Sequence, residues 1–177
     1  MRPSRPRALL APALLLAAAL AAPSTARAVE VAARLGLSTP AGSDVALGPS
    51  AGFSLSLPIR GRLGLLTAAD FSSHRATLRQ DIPIDSLTLA LGVEASIDLA
   101  PIVPVLAVGP AFQHAWRRGS PASADSFGGF LSVGVRATVL EHLRLGLQAR
   151  YLTAGFTSES FPAFVTFVVE VGWTSSD

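Results

Sequence analysis

The sequence contains no cysteine and no lysine, and only 15% of its 177 residues are charged. The absence of cysteine excludes a disulfide-stapled scaffold and thiolate metal sites. Beyond the first thirty residues no hydrophobic run is long enough for a transmembrane helix, which excludes a helical membrane bundle. Glycine and proline are common but follow no period, so a collagen-like chain is also excluded. The length allows one domain.

The first 28 residues have the layout of a secretory signal peptide. A basic start is followed by an apolar stretch at residues 8–22 and by the small-x-small cleavage site Ala26-Arg27-Ala28. An N-terminal membrane anchor is the alternative, but the apolar stretch is too short to span a bilayer well. We therefore predict that residues 1–28 are a cleaved signal and that residues 29–177 form the mature domain.

Removing the signal reverses the charge balance. The whole chain has a formal net charge of +2, whereas residues 29–177 keep ten arginines and twelve acidic residues, a net charge of −2. No basic run and no alternation of basic and aromatic residues remains in them. We therefore expect no nucleic-acid partner.

The mature chain alternates between apolar and small or polar residues, and this period of two is typical of β-strands. Eight such runs are present, at residues 29–38, 50–57, 62–71, 86–99, 105–116, 129–139, 143–151 and 163–173. The fifth run is interrupted by Pro104 and Pro110. The pattern predicts an all-β fold with eight strands.

One face of these strands carries no charged residue, and every strand charge lies on the other face. The charges on that second face are Glu30, Arg34, Arg62, Asp70, Glu94, Asp98, Arg136, Arg144, Arg150 and Glu170. A charge that faces lipid near the midplane costs about 2–4 kcal/mol, so a lipid-facing surface should exclude charge in this way. We predict that the apolar face points outward and that the ten charges form a network in the lumen.

The opposite orientation describes a soluble periplasmic barrel that binds a lipid-like ligand. Such a barrel would cover its exterior with charged side chains, whereas the polar face here is mostly Gly, Ser, Ala and Thr. An eight-stranded barrel is also too narrow to enclose all the large apolar side chains. These observations favour apolar-out strands.

The connections support a transmembrane barrel. Short connections at residues 58–61, 100–103 and 140–142 alternate with longer polar ones at residues 39–49, 72–85, 117–126 and 154–162. Outer-membrane barrels have short periplasmic turns and longer outer loops. The sequence thus predicts an eight-stranded antiparallel up-and-down transmembrane β-barrel with both termini in the periplasm.

Aromatic residues cluster near the predicted long-loop ends of the strands. They are Phe71, Trp116, Phe127, Tyr151, Phe156, Phe161 and Phe164, whereas Trp173 marks the other end. This distribution predicts an interfacial girdle.

The chain resembles the small eight-stranded outer-membrane barrels of the OmpA and OmpX type, from Val29 to Trp173. Its last strand, Phe167-x-Val169-x-Val171-x-Trp173, looks like the C-terminal insertion signal that the barrel-assembly machinery reads in this group. In this sequence four residues follow the signal. The resemblance implies an outer-membrane location in a Gram-negative envelope and assembly by that machinery. It does not imply a particular activity.

The residues offer few candidates for chemistry. Ser72 and His74 share a strand face, with Asp70 and Asp81 nearby, and form the only arrangement that suits nucleophilic catalysis. An ordinary surface loop explains them equally well. Asp81 and Asp85 could hold calcium only loosely, because two carboxylates without a glycine-punctuated loop make a weak site, and the three histidines have no metal-ligand spacing. We expect no enzymatic activity, no cofactor and no metal.

The function predicted is a non-enzymatic scaffold whose lumen is plugged by ion pairs and whose four outer loops serve surface interaction or envelope integrity. Arg117 and Arg118 in the third long loop are candidates for contact with lipopolysaccharide phosphates. The alternatives are a narrow pore or a transporter of small molecules that resembles OmpW, and the soluble lipid-binding barrel. We expect a monomer surrounded by outer-membrane lipid.

Overall fold

The computed structural model describes residues 29–40, 46–60, 62–76, 82–97, 99, 101–121, 123–153 and 163–175. The predicted signal, residues 1–28, lies outside this set. The described residues form eight strands: β1 (Glu30–Pro40), β2 (Gly48–Arg60), β3 (Leu63–Ala76), β4 (Ile82–Ser96), β5 (Ile102–Arg117), β6 (Ser123–Thr138), β7 (Leu143–Thr153) and β8 (Phe164–Thr174). In this part of the chain no helix is long and apolar enough to cross a membrane.

The strands form one closed antiparallel barrel. Each pairs with the next in sequence, and β8 returns to pair with β1, where Arg34 lies opposite Glu170. Beyond the last strand, Ser175 and Val29 exchange two hydrogen bonds, so both ends of the described domain lie at the end that carries the short connections. The predicted up-and-down barrel is confirmed.

Alternation places the large apolar side chains outside. Leu35, Phe53, Val133 and Leu147 are exposed on the outer surface, while the neighbouring residues of the same strands are buried inside. The interior holds charged, hydroxyl and small side chains, together with a cluster of buried apolar residues that includes Leu66, Phe130 and Leu152. The apolar-out orientation is therefore correct, and the soluble barrel with an apolar ligand cavity is wrong, because most large apolar side chains lie outside and charged and hydroxyl groups occupy much of the narrow interior.

The strands extend further than the hydrophobic alternation indicates. Residues 72–85 and 117–126 were predicted to be long connections, but the structure reduces them to residues 77–81 and 118–122. Backbone pairing continues past the apolar belt because the hydrogen bonds between strands do not require the outward side chains to be apolar. Gly119 allows the second connection to be tight, with a φ of 78° in the left-handed region that favours glycine.

The aromatic girdle is partly as predicted. Phe71, Phe127 and Tyr151 are exposed on the outer surface, and Trp116 lies beside Phe71. Phe164 was wrongly included, because it falls on the inward face of β8 and is buried. Phe156 and Phe161 lie outside the described residues.

Candidate functional site

The barrel interior contains a continuous network of ion pairs. Eight of the ten predicted luminal charges take part: Glu30, Arg34, Asp70, Glu94, Arg136, Arg144, Arg150 and Glu170. Arg62 does not lie in the interior. It is exposed in the turn before β3, because that strand begins one residue later. Asp98 lies outside the described residues.

The Asp70 carboxylate is the centre of one half of this network. Its Oδ2 accepts a hydrogen bond from Arg34 Nη1 at 3.1 Å and another from Arg150 Nη1 at 2.5 Å. The second bond spans the barrel, since Asp70 is on β3 and Arg150 is on β7. Arg34 Nη2 also donates to Gln148 at 2.9 Å, and the Arg150 guanidinium lies 5.1 Å from the ring centre of Phe130.

The Arg136 guanidinium is the centre of the other half. It donates two hydrogen bonds of 2.7 Å to the two carboxylate oxygens of Glu94 and one of 3.3 Å to Glu170. Its Nε lies 3.4 Å from Glu30 Oε1, and Glu30 also accepts a bond of 2.8 Å from Arg144. This second cluster therefore links β1, β4, β6, β7 and β8.

One ion pair joins the two halves. Arg34 Nε lies 3.2 Å from Glu170 Oε1, so Arg34 contacts an acid in each cluster. The eight residues are four arginines and four acids, and all are buried except Arg144, which is partly exposed. A buried charge is tolerated only when it is paired, and equal numbers of each sign meet that requirement.

Glycine residues on the inward face allow these pairs to reach over an intervening strand. Arg34 and Asp70 lie in register on either side of Gly52, where an added Cβ would overlap the Asp70 carboxylate. Gly146 takes the same position between Arg136 and Glu170, whose side chains would lie 3.2 Å from its Cβ.

A third glycine, Gly172 of β8, lies opposite Arg144 on one side and opposite Ala32 on the other, one inward position away from Glu30. A Cβ on this glycine would lie 3.1 Å from Glu30 Oε1. Sequence reasoning missed the role of these glycines, although a glycine on the charged face of the strand between two oppositely charged residues is a visible signal. It also missed Gln148, which accepts a hydrogen bond from Arg34, and Ser56, which donates one to Glu94.

A small cavity of about 10 Å³ lies beside Arg150 in the barrel interior. Its walls carry the hydroxyl groups of Ser38, Ser50, Ser72, Thr88 and Thr166. Arg150 Nε and Nη2, Asp70 Oδ1 and Gln113 Oε1 have no hydrogen-bond partner among the described residues. This volume suits about one ordered water, which can bridge such donors and acceptors.

Ser72 and His74 meet on the inward face of β3. Ser72 Oγ lies 3.0 Å from His74 Nε2 and 2.8 Å from Ser86 Oγ, and His74 Nδ1 lies 3.3 Å from the Ala46 carbonyl. Because a carbonyl only accepts, Nδ1 is the protonated nitrogen and Nε2 accepts from the serine. Both side chains are buried.

Asp70 does not complete this pair as a triad, because its carboxylate is bound by two arginines. Asp81, the other predicted acid, lies outside the described residues. Within the described ranges no group of three or more His, Asp or Glu side chains is arranged to hold a metal ion. Asp85, which the sequence analysis considered with Asp81 for calcium, binds Arg118.

The structure separates the two arginines proposed to contact lipopolysaccharide. Arg117 is the last residue of β5, whereas Arg118 begins the following turn and forms hydrogen bonds of 3.0–3.1 Å with Asp85. Both side chains are exposed.

The residues that resemble an insertion signal form one outward row on β8. Phe167, Val169, Val171 and Trp173 are exposed on the outer surface. The Trp173 ring lies 5.4 Å from the ring of His142, in the turn before β7.

No protein-family model and no curated protein matches the chain. Solved structures do: Neisserial surface protein A superposes with a TM-score of 0.60 and 16% identity over 85% of this chain and 96% of that one. The fold is that of a small outer-membrane β-barrel. OprG from Pseudomonas aeruginosa superposes with a TM-score of 0.60 and 12% identity over 86% of this chain and 97% of that one. Ail of Yersinia pestis superposes with a TM-score of 0.54 and 10% identity over 84% of this chain and 97% of that one. At these identities the likeness concerns the architecture of the barrel.

Proposed function

We propose that this outer-membrane-type barrel is an integral, non-enzymatic protein of a Gram-negative outer membrane. Its lumen is closed by the ion-pair network, and its outer end is presented for surface interaction or envelope integrity. The support for the location is the uncharged apolar belt around the barrel, since charges near the bilayer midplane are costly.

The orientation follows from the connections. Such barrels have short periplasmic turns, and Val29 and Ser175 lie at the end with the shorter connections. We therefore place both termini of the domain in the periplasm and the protruding ends of β3–β6 outside the cell.

One observation carries the closed-lumen proposal: hydrogen bonds cross the interior at two levels. Arg150 reaches Asp70 on the opposite wall, and Arg136 reaches Glu94 two strands away. Eight strands leave an interior just wide enough for side chains. Arg34 and Arg150 are almost completely buried in it, so no continuous water path is expected.

The absence of catalysis is part of the proposal. Ser72 faces the narrow interior, and the nitrogen of His74 that points away from Ser72 faces a backbone carbonyl instead of a carboxylate. A serine hydrolase needs an accessible nucleophile and a substrate site beside it. We expect no labelling of the folded barrel by a fluorophosphonate probe, and labelling that is lost in Ser72→Ala would contradict this.

The first experiment is fractionation of the native host, followed by electrophoresis of the protein with and without boiling. We expect it in the outer-membrane fraction, with faster migration before boiling. Recovery in the soluble periplasm would contradict the location.

Planar-bilayer recordings then test the closed lumen. We expect no steady conductance from the wild-type protein, because the charged side chains fill the interior. The double variant Asp70→Ala/Arg150→Ala removes one cross-lumen pair without changing net charge and should raise conductance, whereas Arg62→Ala, in an exposed turn, should not. A wild-type protein that conducts steadily would favour the alternative of a narrow pore or small-molecule transporter.

A further inference from the structure

The barrel wall is taller on one side. Strands β3–β6 have 14 to 16 residues, whereas β1, β7 and β8 have 11. Outward-facing residues near the far ends of these taller strands include charged side chains that the apolar belt lacks. We call this surface the collar and define it as Arg75, Asp85, His114, Trp116, Arg118 and Asp125.

Arg118 is exposed but held in place. Its side chain retains 63% of its accessible surface, yet Nε and Nη2 donate to the Asp85 carboxylate at 3.0–3.1 Å. Asp85 is only 5% exposed although it lies on the outward face of β4. The Arg118 amide also donates to the Pro83 carbonyl at 3.0 Å. A guanidinium anchored in this way loses little entropy when it binds a ligand.

Trp116 lies directly opposite Asp85 in the sheet and forms an aromatic platform below Arg118. Its ring centre is 6.0 Å from Phe71 and 5.4 Å from His114, which stacks on it. His114 Nδ1 contacts Asp125 at 2.6 Å. Tryptophan at this height is typical of the boundary between acyl chains and headgroups.

Among the described residues at this end of the barrel, three arginines and one acid are exposed. They are Arg75, Arg117, Arg118 and Asp125, whereas Asp85 is buried beneath Arg118 and paired with it. Arginine forms strong charge-assisted hydrogen bonds with phosphate. The collar thus combines an apolar lower edge, an aromatic platform and fixed or exposed cations above it.

We propose that the collar binds the phosphorylated sugar headgroup of a lipid A molecule in the outer leaflet. Arg118 and Arg75 would contact phosphate, and Trp116 would pack against the sugar and the first acyl carbons. This inference rests on the outer-membrane location proposed above. Arg117 is not assigned to the site, because alternation along β5 places it on the face that leads to the barrel mouth.

The test measures binding of fluorescently labelled diphosphoryl lipid A to the purified full-length barrel in detergent micelles, by anisotropy. The variant Arg75→Gln/Arg118→Gln removes two positive charges from the collar and should weaken binding by about tenfold, since two partly exposed charge-assisted contacts are lost. The matched control Arg60→Gln/Arg62→Gln removes the same charge from exposed positions at the opposite end and should change binding by less than about twofold.

Two further measurements define the ligand and the residue. Lipid A without phosphates should bind wild type and the collar variant equally weakly. Arg117→Gln alone should have no more effect than the control variant, whereas Arg118→Gln alone should account for most of the loss. Equal weakening by the collar and control variants, or tight binding of dephosphorylated lipid A, would overturn the proposal.

Folding and location are measured separately. Each variant is accepted only if it shows the gel mobility shift on boiling, so loss of binding cannot be a loss of the barrel. If the protein fractionates with the outer membrane but the collar variant binds like wild type, only the collar proposal fails. If wild type is recovered from the soluble periplasm, the location fails first.

Discussion

Arg136 donates parallel hydrogen bonds of 2.7 Å to both carboxylate oxygens of Glu94, although β5 lies between their strands. The pair therefore connects parts of the barrel wall that share no backbone hydrogen bond. Ser56 of β2 donates to the same carboxylate at 3.1 Å. These side-chain contacts therefore link strands that the backbone hydrogen bonds of the barrel wall do not link.

The Glu94–Arg136 pair should contribute strongly to stability. Glu94→Gln removes the negative charge that is paired most closely with the buried Arg136. The free energy of unfolding should therefore fall by about 3 kcal/mol. Urea unfolding in lipid vesicles, followed by electrophoresis without boiling, measures the change. Arg144→Gln is the control, since this partly exposed arginine should cost only about 1 kcal/mol. Equal losses in the two variants would argue against a special role for the central pair.

Depth in the membrane should determine the cost of an outward charge. Val133 is exposed in the middle of β6, and Val133→Arg should lower the free energy of unfolding by about 2–4 kcal/mol. Ser123, at the outer end of the same strand and face, provides the comparison: Ser123→Arg should cost less than about 1 kcal/mol. The same vesicle assay measures both, and similar costs would mean that β6 does not cross the membrane at Val133.

The glycine between Arg34 and Asp70 should not tolerate a methyl group. In Gly52→Ala the new Cβ would overlap the Asp70 carboxylate and the Ala69 carbonyl, so we expect a loss of about 1–3 kcal/mol. Gly129→Ala is the matched control, because the nearest atoms to its Cβ are 3.6 Å away. The temperature at which each variant loses its fast-migrating folded form on a gel measures the difference in stability. A stable Gly52→Ala barrel would show that the ion pair can move without cost.

The last strand should direct assembly in the cell. Trp173 is 59% exposed on the outward face, at the end of the barrel with the short connections. Trp173→Ala should lower the amount of heat-modifiable protein in the outer membrane, and Trp173→Phe should retain most of it because an aromatic ring is kept. Immunoblots of fractionated cells give the readout. Normal assembly of Trp173→Ala would refute an insertion role for this residue.

Most of the wall could be predicted because alternation is a local property. Outward residues form an apolar outer surface and inward residues face a narrow interior, so the alternation along a single strand such as β4 already separates the two faces. The alternation does not predict where β3–β6 end, because beyond the apolar belt both faces of a strand carry polar residues and no longer differ in hydrophobicity. Phe164 was wrongly assigned to the girdle because it is aromatic, whereas its place in the alternation of β8 directs the side chain into the barrel.

The strand number, the outward face and eight of the charges inside follow from the sequence alone, since each depends on residue type and a period of two. Which charges pair with one another depends on the closure of the barrel. Arg150 and Asp70 are 80 positions apart and meet because opposite walls lie within the reach of two side chains. The separation of Arg117 from Arg118 likewise depends on where the β5 strand ends and the turn begins, which backbone pairing with β4 and β6 fixes in three dimensions.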